Sequence, residues 1–115
     1  MSSEPPDQQD ARERLGRLSS AARRLVDYVA VLPGGARYAI LRHLARVTEG
    51  DMIDDLREAV EAGVLVRLPG QPDGYDLAGD DVREAVLAEI GEERLAKLRA
   101  RGDAAQQRVE GPDAG

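Results

Sequence analysis

Residues 51–62 (DMIDDLREAVEA) crowd five carboxylates, Asp51, Asp54, Asp55, Glu58 and Glu61, around the single basic residue Arg57. Carboxylates one helical turn apart, as Asp54 and Glu58 are, share a face and could hold a hard cation. A calcium loop, however, alternates its oxygen ligands about a central glycine, and this run does neither. The acids therefore read as a solvated helix face, and no metal is expected. The lone His43, between Arg42 and Leu44, would need a second ligand or a nucleophile beside it to act as a metal site or a general base. The chain has no other histidine and no cysteine, so His43 reads as a surface or boundary residue. Pro33-Gly34-Gly35 lacks the lysine and the preceding buried strand of a phosphate loop and reads as a helix stop. With no nucleophile–base pair, metal cluster or phosphate cradle, neither an enzyme nor a bound cofactor is expected.

The basic residues suggest a different chemistry. Residues 11–46 hold eight arginines, among them Arg23, Arg24, Arg37, Arg42 and Arg46, against only Glu13 and Asp27, whereas residues 47–90 hold twelve acids against Arg57, Arg67 and Arg83. The chain is bipolar within a net charge of −6. Solvated faces of mixed sign are the ordinary explanation. The sharper one is that the arginines meet an anionic partner while the acids meet a basic one, or that copies pair head to tail.

The elements that must carry these residues are mostly helical. Aromatic residues make up 3% of the chain and there is no Phe or Trp, so Leu, Val, Ile and Ala must build the core, with Tyr28, Tyr38 and Tyr75 at its margins. A first amphipathic segment starts near Ala11. Ser19 or Ser20 caps a helix to about Val31 with Leu25, Val26, Val29 and Ala30 inward. A helix over residues 37–46 puts Ile40, Leu41 and Leu44 in the core. The acidic helix turns Met52, Ile53, Leu56, Ala59 and Val60 inward and stops at Gly63. Residues 64–68 and 75–77 flank a Pro/Gly turn as a β-hairpin. A helix over residues 80–90 buries Val82, Ala85, Val86 and Ile90, and a short last one covers residues 92–101.

The expected architecture is mostly α (α+β): a winged helix-turn-helix of about five helices with one small hairpin wing, occupying residues 11–102. Residues 1–10 read as a disordered leader and 103–115 as a disordered tail, since neither carries enough apolar surface to offset its ordering entropy. No apolar run reaches the length of a membrane span, and the acidic start lacks the features of a signal peptide. A cytoplasmic protein with no membrane partner is expected.

Over residues 21–101 three phrases, LVDYVAVLPGGARYAILRHLA, DDLREAVEAGVLV and GYDLAGDDVREAVLAEI, follow one another in an order and spacing that resembles the winged-helix region of bacterial STAND-type ATPases, including large LuxR-type transcriptional activators. The resemblance implies a regulatory packing element that senses the nucleotide state of an adjoining ATPase and does not itself read DNA. The histidine that family often carries before the matching Asp-x-Val-Arg-Glu stretch is Gly79 here. The chain contains no P-loop, so an ATPase partner would be a separate polypeptide.

The expected activity is that of a non-catalytic regulatory or adaptor module binding a protein partner, such as a separate regulatory ATPase or a transcription component, through the wing and the acidic helix with Asp51, Asp54, Asp55, Arg57, Glu58 and Glu61. The alternative is a winged-helix DNA-binding transcriptional regulator touching phosphates through Arg23, Arg24, Arg37, Arg42 and Arg46, with a homodimer left open. Nucleic acid is the less favoured partner, because the helix that would enter the major groove offers carboxylates.

Overall fold

The computed structural model describes residues 6–32, 35–45, 47–70 and 73–110. Among these residues six helices and three short strands follow in the order α1 (Pro6–Gly16), α2 (Ser20–Val31), β1 (Ala36–Arg37), α3 (Tyr38–Ala45), α4 (Glu49–Glu61), β2 (Leu65–Arg67), β3 (Gly74–Leu77), α5 (Asp80–Ile90) and α6 (Glu92–Glu110). The sheet is antiparallel with strand order β1-β3-β2. The fold is mostly α with a small sheet.

Helix α2 is the axis of the core. Ser19 caps it, its hydroxyl accepting from the Ala22 N–H at 3.2 Å, and every residue from Leu25 to Val31 is buried. It packs against α3, α4, α5, α6 and β3. Over residues 25–31 the helix has no solvated stripe for polar residues. Its one buried charge, Asp27, is 2% exposed and accepts from Arg23 Nε at 3.0 Å and pairs with Arg94 Nη2 of α6 at 3.2 Å. Arg23 in turn reaches Glu89 of α5 at 2.7 Å. Burial works against the Arg23 charge, but the hydrogen bonds to Glu89 and Asp27 outweigh it and raise its pKa above the usual arginine value. One ionic cluster thus ties three helices together.

The expected inward residues of α2, α3 and α5 are all buried. Other expectations shift. A strand at Ala36–Arg37 occupies the start of what reads as a helix from Arg37. Ala36 pairs with Tyr75 and Arg37 with Gly74, extending the hairpin to three strands. Gly35 makes that approach possible: its φ is +96°, and a Cβ there would stand 2.7 Å from the Tyr75 carbonyl oxygen. A two-residue strand has no periodicity to read.

Both ends carry more helix than expected. The first helix begins at Pro6, inside the segment read as a leader, and continues through Ala11 and Leu15, both buried. It packs on α5, and Arg14 Nη1 donates to the Gly63 carbonyl at 3.2 Å. The last helix does not stop at Arg101 but runs to Glu110, so residues 103–110 are not the structureless tail that their polarity implies. Leu98, Gly102 and Ala105 are buried at helical spacing, and Gly102 lies against Leu32 so closely that a Cβ would meet Leu32 Cδ2 at 3.0 Å. Arg101 adds a contact over the Tyr28 ring at 5.5 Å. Small residues carry this contact, which is why a search for large apolar residues passes over it.

Replacing Asp27 by Ala should lower stability by about 2 to 3 kcal/mol, because it removes one of the two acceptors of a part-buried arginine and the buried anion that ties α2 to α6. Arg94→Ala should cost under about 1 kcal/mol, since the Arg94 side chain is 54% exposed. Urea unfolding of the two variants measures the difference, and equal losses would contradict this account of the cluster.

Candidate functional site

Thr48 caps α4, accepting from the Asp51 N–H at 3.1 Å, and Glu49 and Asp51 in its first turn complement the positive end of the helix dipole. Met52, Leu56 and Ala59 are buried. Ile53 and Val60 are not: they are 44% and 36% exposed, and with Val66 at 43% they are the exposed large hydrophobics of the described residues. This corrects the expectation that all five point inward. At 100° per residue the five positions span about 120° of the helix, and the three buried ones fill about half of that arc. Ile53 and Val60 sit at its edge, beyond the core contact.

They face a cavity of about 380 Å³ between α4 and the sheet. Tyr38, Leu56 and Tyr75 line it together with Ile53 and Val60, and its polar members are Arg57, Arg67 and Asp73. Arg67 lies over the Tyr75 ring at 5.9 Å from the centroid. Arg57 and Arg67 have no carboxylate partner within ion-pair distance among the described residues. The Tyr38 hydroxyl is the one buried side-chain polar atom of those residues without a hydrogen-bond partner.

The six candidate docking residues do not act as one set. Asp51, Asp54, Arg57 and Glu61 are exposed. Glu58 is committed to the fold: its carboxylate accepts from the Ser19 N–H at 2.6 Å and from the Ser19 hydroxyl at 3.0 Å. It thereby fastens the start of α2 to α4. Asp55 is half-buried, and burial, with Glu58, Asp51 and Asp54 nearby, pushes its carboxyl pKa up.

The arginines proposed for phosphate are scattered in role. Arg23 is locked to Asp27 and Glu89. Arg37 is on β1 and exposed, Arg24 is exposed on α2, and Arg42 is half-buried on α3. Arg46 lies outside the described residues. His43 is exposed, and among the described residues no group of three or more His, Cys, Asp or Glu side chains is placed to hold a metal ion. No helix of those residues is long and apolar enough to cross a membrane.

Sequence reasoning paired Arg57 with the wing that carries Arg67 and Asp73, but not with Tyr38 of α3, and it did not show that these residues and Tyr75 converge on one cavity. The available signal was the width of the apolar arc on α4. No family model, curated protein or solved structure matches the chain.

Two outcomes follow. Glu58→Ala should destabilise the protein by about 1 kcal/mol through loss of the α2 cap contacts, whereas Asp54→Ala should change it by less than about 0.5 kcal/mol; thermal unfolding distinguishes them. For Asp55, a folded-state pKa above the unfolded value means the native state binds the proton more tightly, so stability is gained as pH falls through the raised pKa and the penalty persists at neutral pH. Asp55→Asn should therefore stabilise at pH 7 by about 0.3 kcal/mol, and the gain should vanish once pH falls below the ordinary aspartate range. A gain independent of pH would show that the ionised carboxylate, penalised by burial and by its neighbours, is not its source.

Proposed function

We propose that the chain is a winged-helix module whose task is to dock onto a protein partner through the α4–sheet face. The order α2, β1, α3, α4, β2–β3 hairpin, α5, with β3 central in the sheet, supports the winged-helix reading. In that arrangement α4 is the helix that a DNA-binding relative would lay in the major groove. One observation carries the functional reading: the exposed surface of α4 combines the large apolar side chains of Ile53 and Val60 with the exposed carboxylates of Asp51, Asp54 and Glu61.

Each part of that surface argues separately. Carboxylates facing a duplex would meet phosphates with the wrong sign, and phosphate neutralisation is what supplies non-specific affinity. Exposed Ile and Val beside a concave apolar surface are what a protein partner buries, as the centre of an interface is apolar and its rim polar. Binding would act by occupancy, with no chemistry of the module's own. A separate regulatory ATPase is the partner class suggested by the STAND resemblance.

The test has two parts. Fluorescence anisotropy of labelled duplex DNA at 50 and 200 mM salt should show no binding at the lower salt; tight binding that weakens steeply with salt would overturn the docking reading in favour of a transcription factor. A photo-crosslinking residue placed at Val60 should give one discrete adduct in the native host that the same residue at Ala88, exposed on α5, does not. Adding Ile53→Asp should abolish the adduct, and a retained adduct would place the contact elsewhere.

A further inference from the structure

Three arginines stand among the acids of residues 47–90: Arg57, Arg67 and Arg83. Arg83 is used internally, donating to the Ala30 carbonyl at 2.9 Å and pairing with Asp76 at 3.0 Å. The other two line one cavity. Acids are abundant on α4, with Asp54 and Glu61 three and four residues from Arg57, yet neither Arg57 nor Arg67 has a carboxylate within ion-pair distance among the described residues. Two unpaired guanidinium groups therefore flank an apolar floor in the most acidic part of the chain.

We infer that the α4–sheet cavity is a binding site for an apolar group bearing a carboxylate. The apolar part lies against Ile53, Leu56, Val60 and Tyr75, and Arg57 and Arg67 supply the counter-charge. About 380 Å³ falls in the range of small-molecule sites, which are largely apolar with a few polar groups fixing orientation. Arginine suits the polar role, because its planar fork offers a carboxylate two parallel N–H donors. Arg67 is already stacked on Tyr75, so part of its side-chain freedom is spent before a ligand arrives.

Asp73 also lines the cavity and sets the stoichiometry of charge. Two cations and one anion leave a single positive charge to satisfy. That matches a monocarboxylate and disfavours a phosphate dianion or a nucleic acid. The carboxylate could arrive on a free organic acid or at the end of a protein chain with an apolar last residue. The inference uses the face assigned to docking, but it does not require that docking partner to exist.

The test is an amide-resolved NMR titration of the whole protein with 4-phenylbutyrate, run beside 4-phenylbutanol and 4-phenylbutylamine. Shifts should concentrate at Ile53, Arg57, Val60, Arg67 and Tyr75, and the acid should bind about tenfold more tightly than the alcohol, as expected for hydrogen bonds to a charged group. The paired variant Arg57→Gln with Arg67→Gln should erase that preference while leaving the alcohol affinity unchanged, and its spectrum shows directly whether it remains folded. Val60→Glu, which brings a carboxylate to the cavity wall, should weaken the acid independently of the arginines. Equal affinity for acid and alcohol, shifts dispersed over the surface, or an unchanged preference in the double-glutamine variant would each overturn the site. A peptide ending in Leu-Phe and its amidated form separate the two sources: phenylbutyrate binding without binding of the free-acid peptide assigns a free metabolite-like ligand, and tighter binding of the free-acid peptide than of phenylbutyrate, lost on amidation, assigns a chain terminus. Loss of the Val60 crosslinked adduct with retained phenylbutyrate binding would sink the docking reading and leave this one standing.

Discussion

Enclosing α2 is the constraint on which the other elements depend. Seven consecutive buried residues, Leu25 to Val31, require neighbours all the way round, and α3, α4, α5, α6 and β3 each cover part of that circumference. A chain with almost no aromatic side chains has few large residues with which to fill space, so it uses many small contacts instead. The same enclosure decides the fate of Asp27. A lone buried carboxylate would cost more than the domain can spare, and the arginines of α2 and α6 are drawn in to meet it. The Ser19–Glu58 contacts and the Arg14–Gly63 hydrogen bond then hold α4 to the start of α2 and to α1, fixing the surface that α4 presents.

That surface follows from how α4 is shared. One flank of the helix goes to the core through Met52, Leu56 and Ala59, and Glu58 is turned to the start of α2. What remains is divided between the apolar edge at Ile53 and Val60 and the exposed acids. Asp55 lies among those acids, and its pKa is raised first by its partial burial and then by the neighbouring charges of Glu58, Asp51 and Asp54. Crowding like charges along one helix lowers stability.

Periodicity made the helices legible, and it did so where the burial was one-sided or complete. Val82, Ala85, Val86 and Ile90 repeat at 3.6-residue spacing, and all are buried. The failures have separate physical causes. Strand β1 is two residues long and depends on the conformation of Gly35 and on the far side of the hairpin, so nothing local announces it. The final turns of α6 are held by a glycine and an alanine, Gly102 and Ala105, whose burial depends on tertiary contact and not on hydrophobicity. Ile53 and Val60 belong to the right helix but not to the core, since an apolar arc shows where apolar residues are and not how much of it a neighbour covers. The cavity was the least legible feature, because Tyr38, Arg67 and Tyr75 converge on α4 from segments separated in sequence and joined only by the β1-β3-β2 sheet.

Charge placement around that cavity selects among anions by distance. At physiological ionic strength the field of an exposed carboxylate is screened over about 8 Å, so the exposed acids of α4 act on anything that spreads negative charge across the face. A duplex does this, presenting a phosphate charge every ~1.7 Å along its axis. It would meet Asp51, Asp54 and Glu61 together. A single carboxylate seated in the cavity is different: it would lie nearest Arg57 and Arg67, with apolar walls strengthening their attraction by excluding water. The acids outside and the arginines within therefore do not conflict. The rim discourages extended polyanions and attracts basic surfaces, while the interior retains a local preference for one buried negative charge.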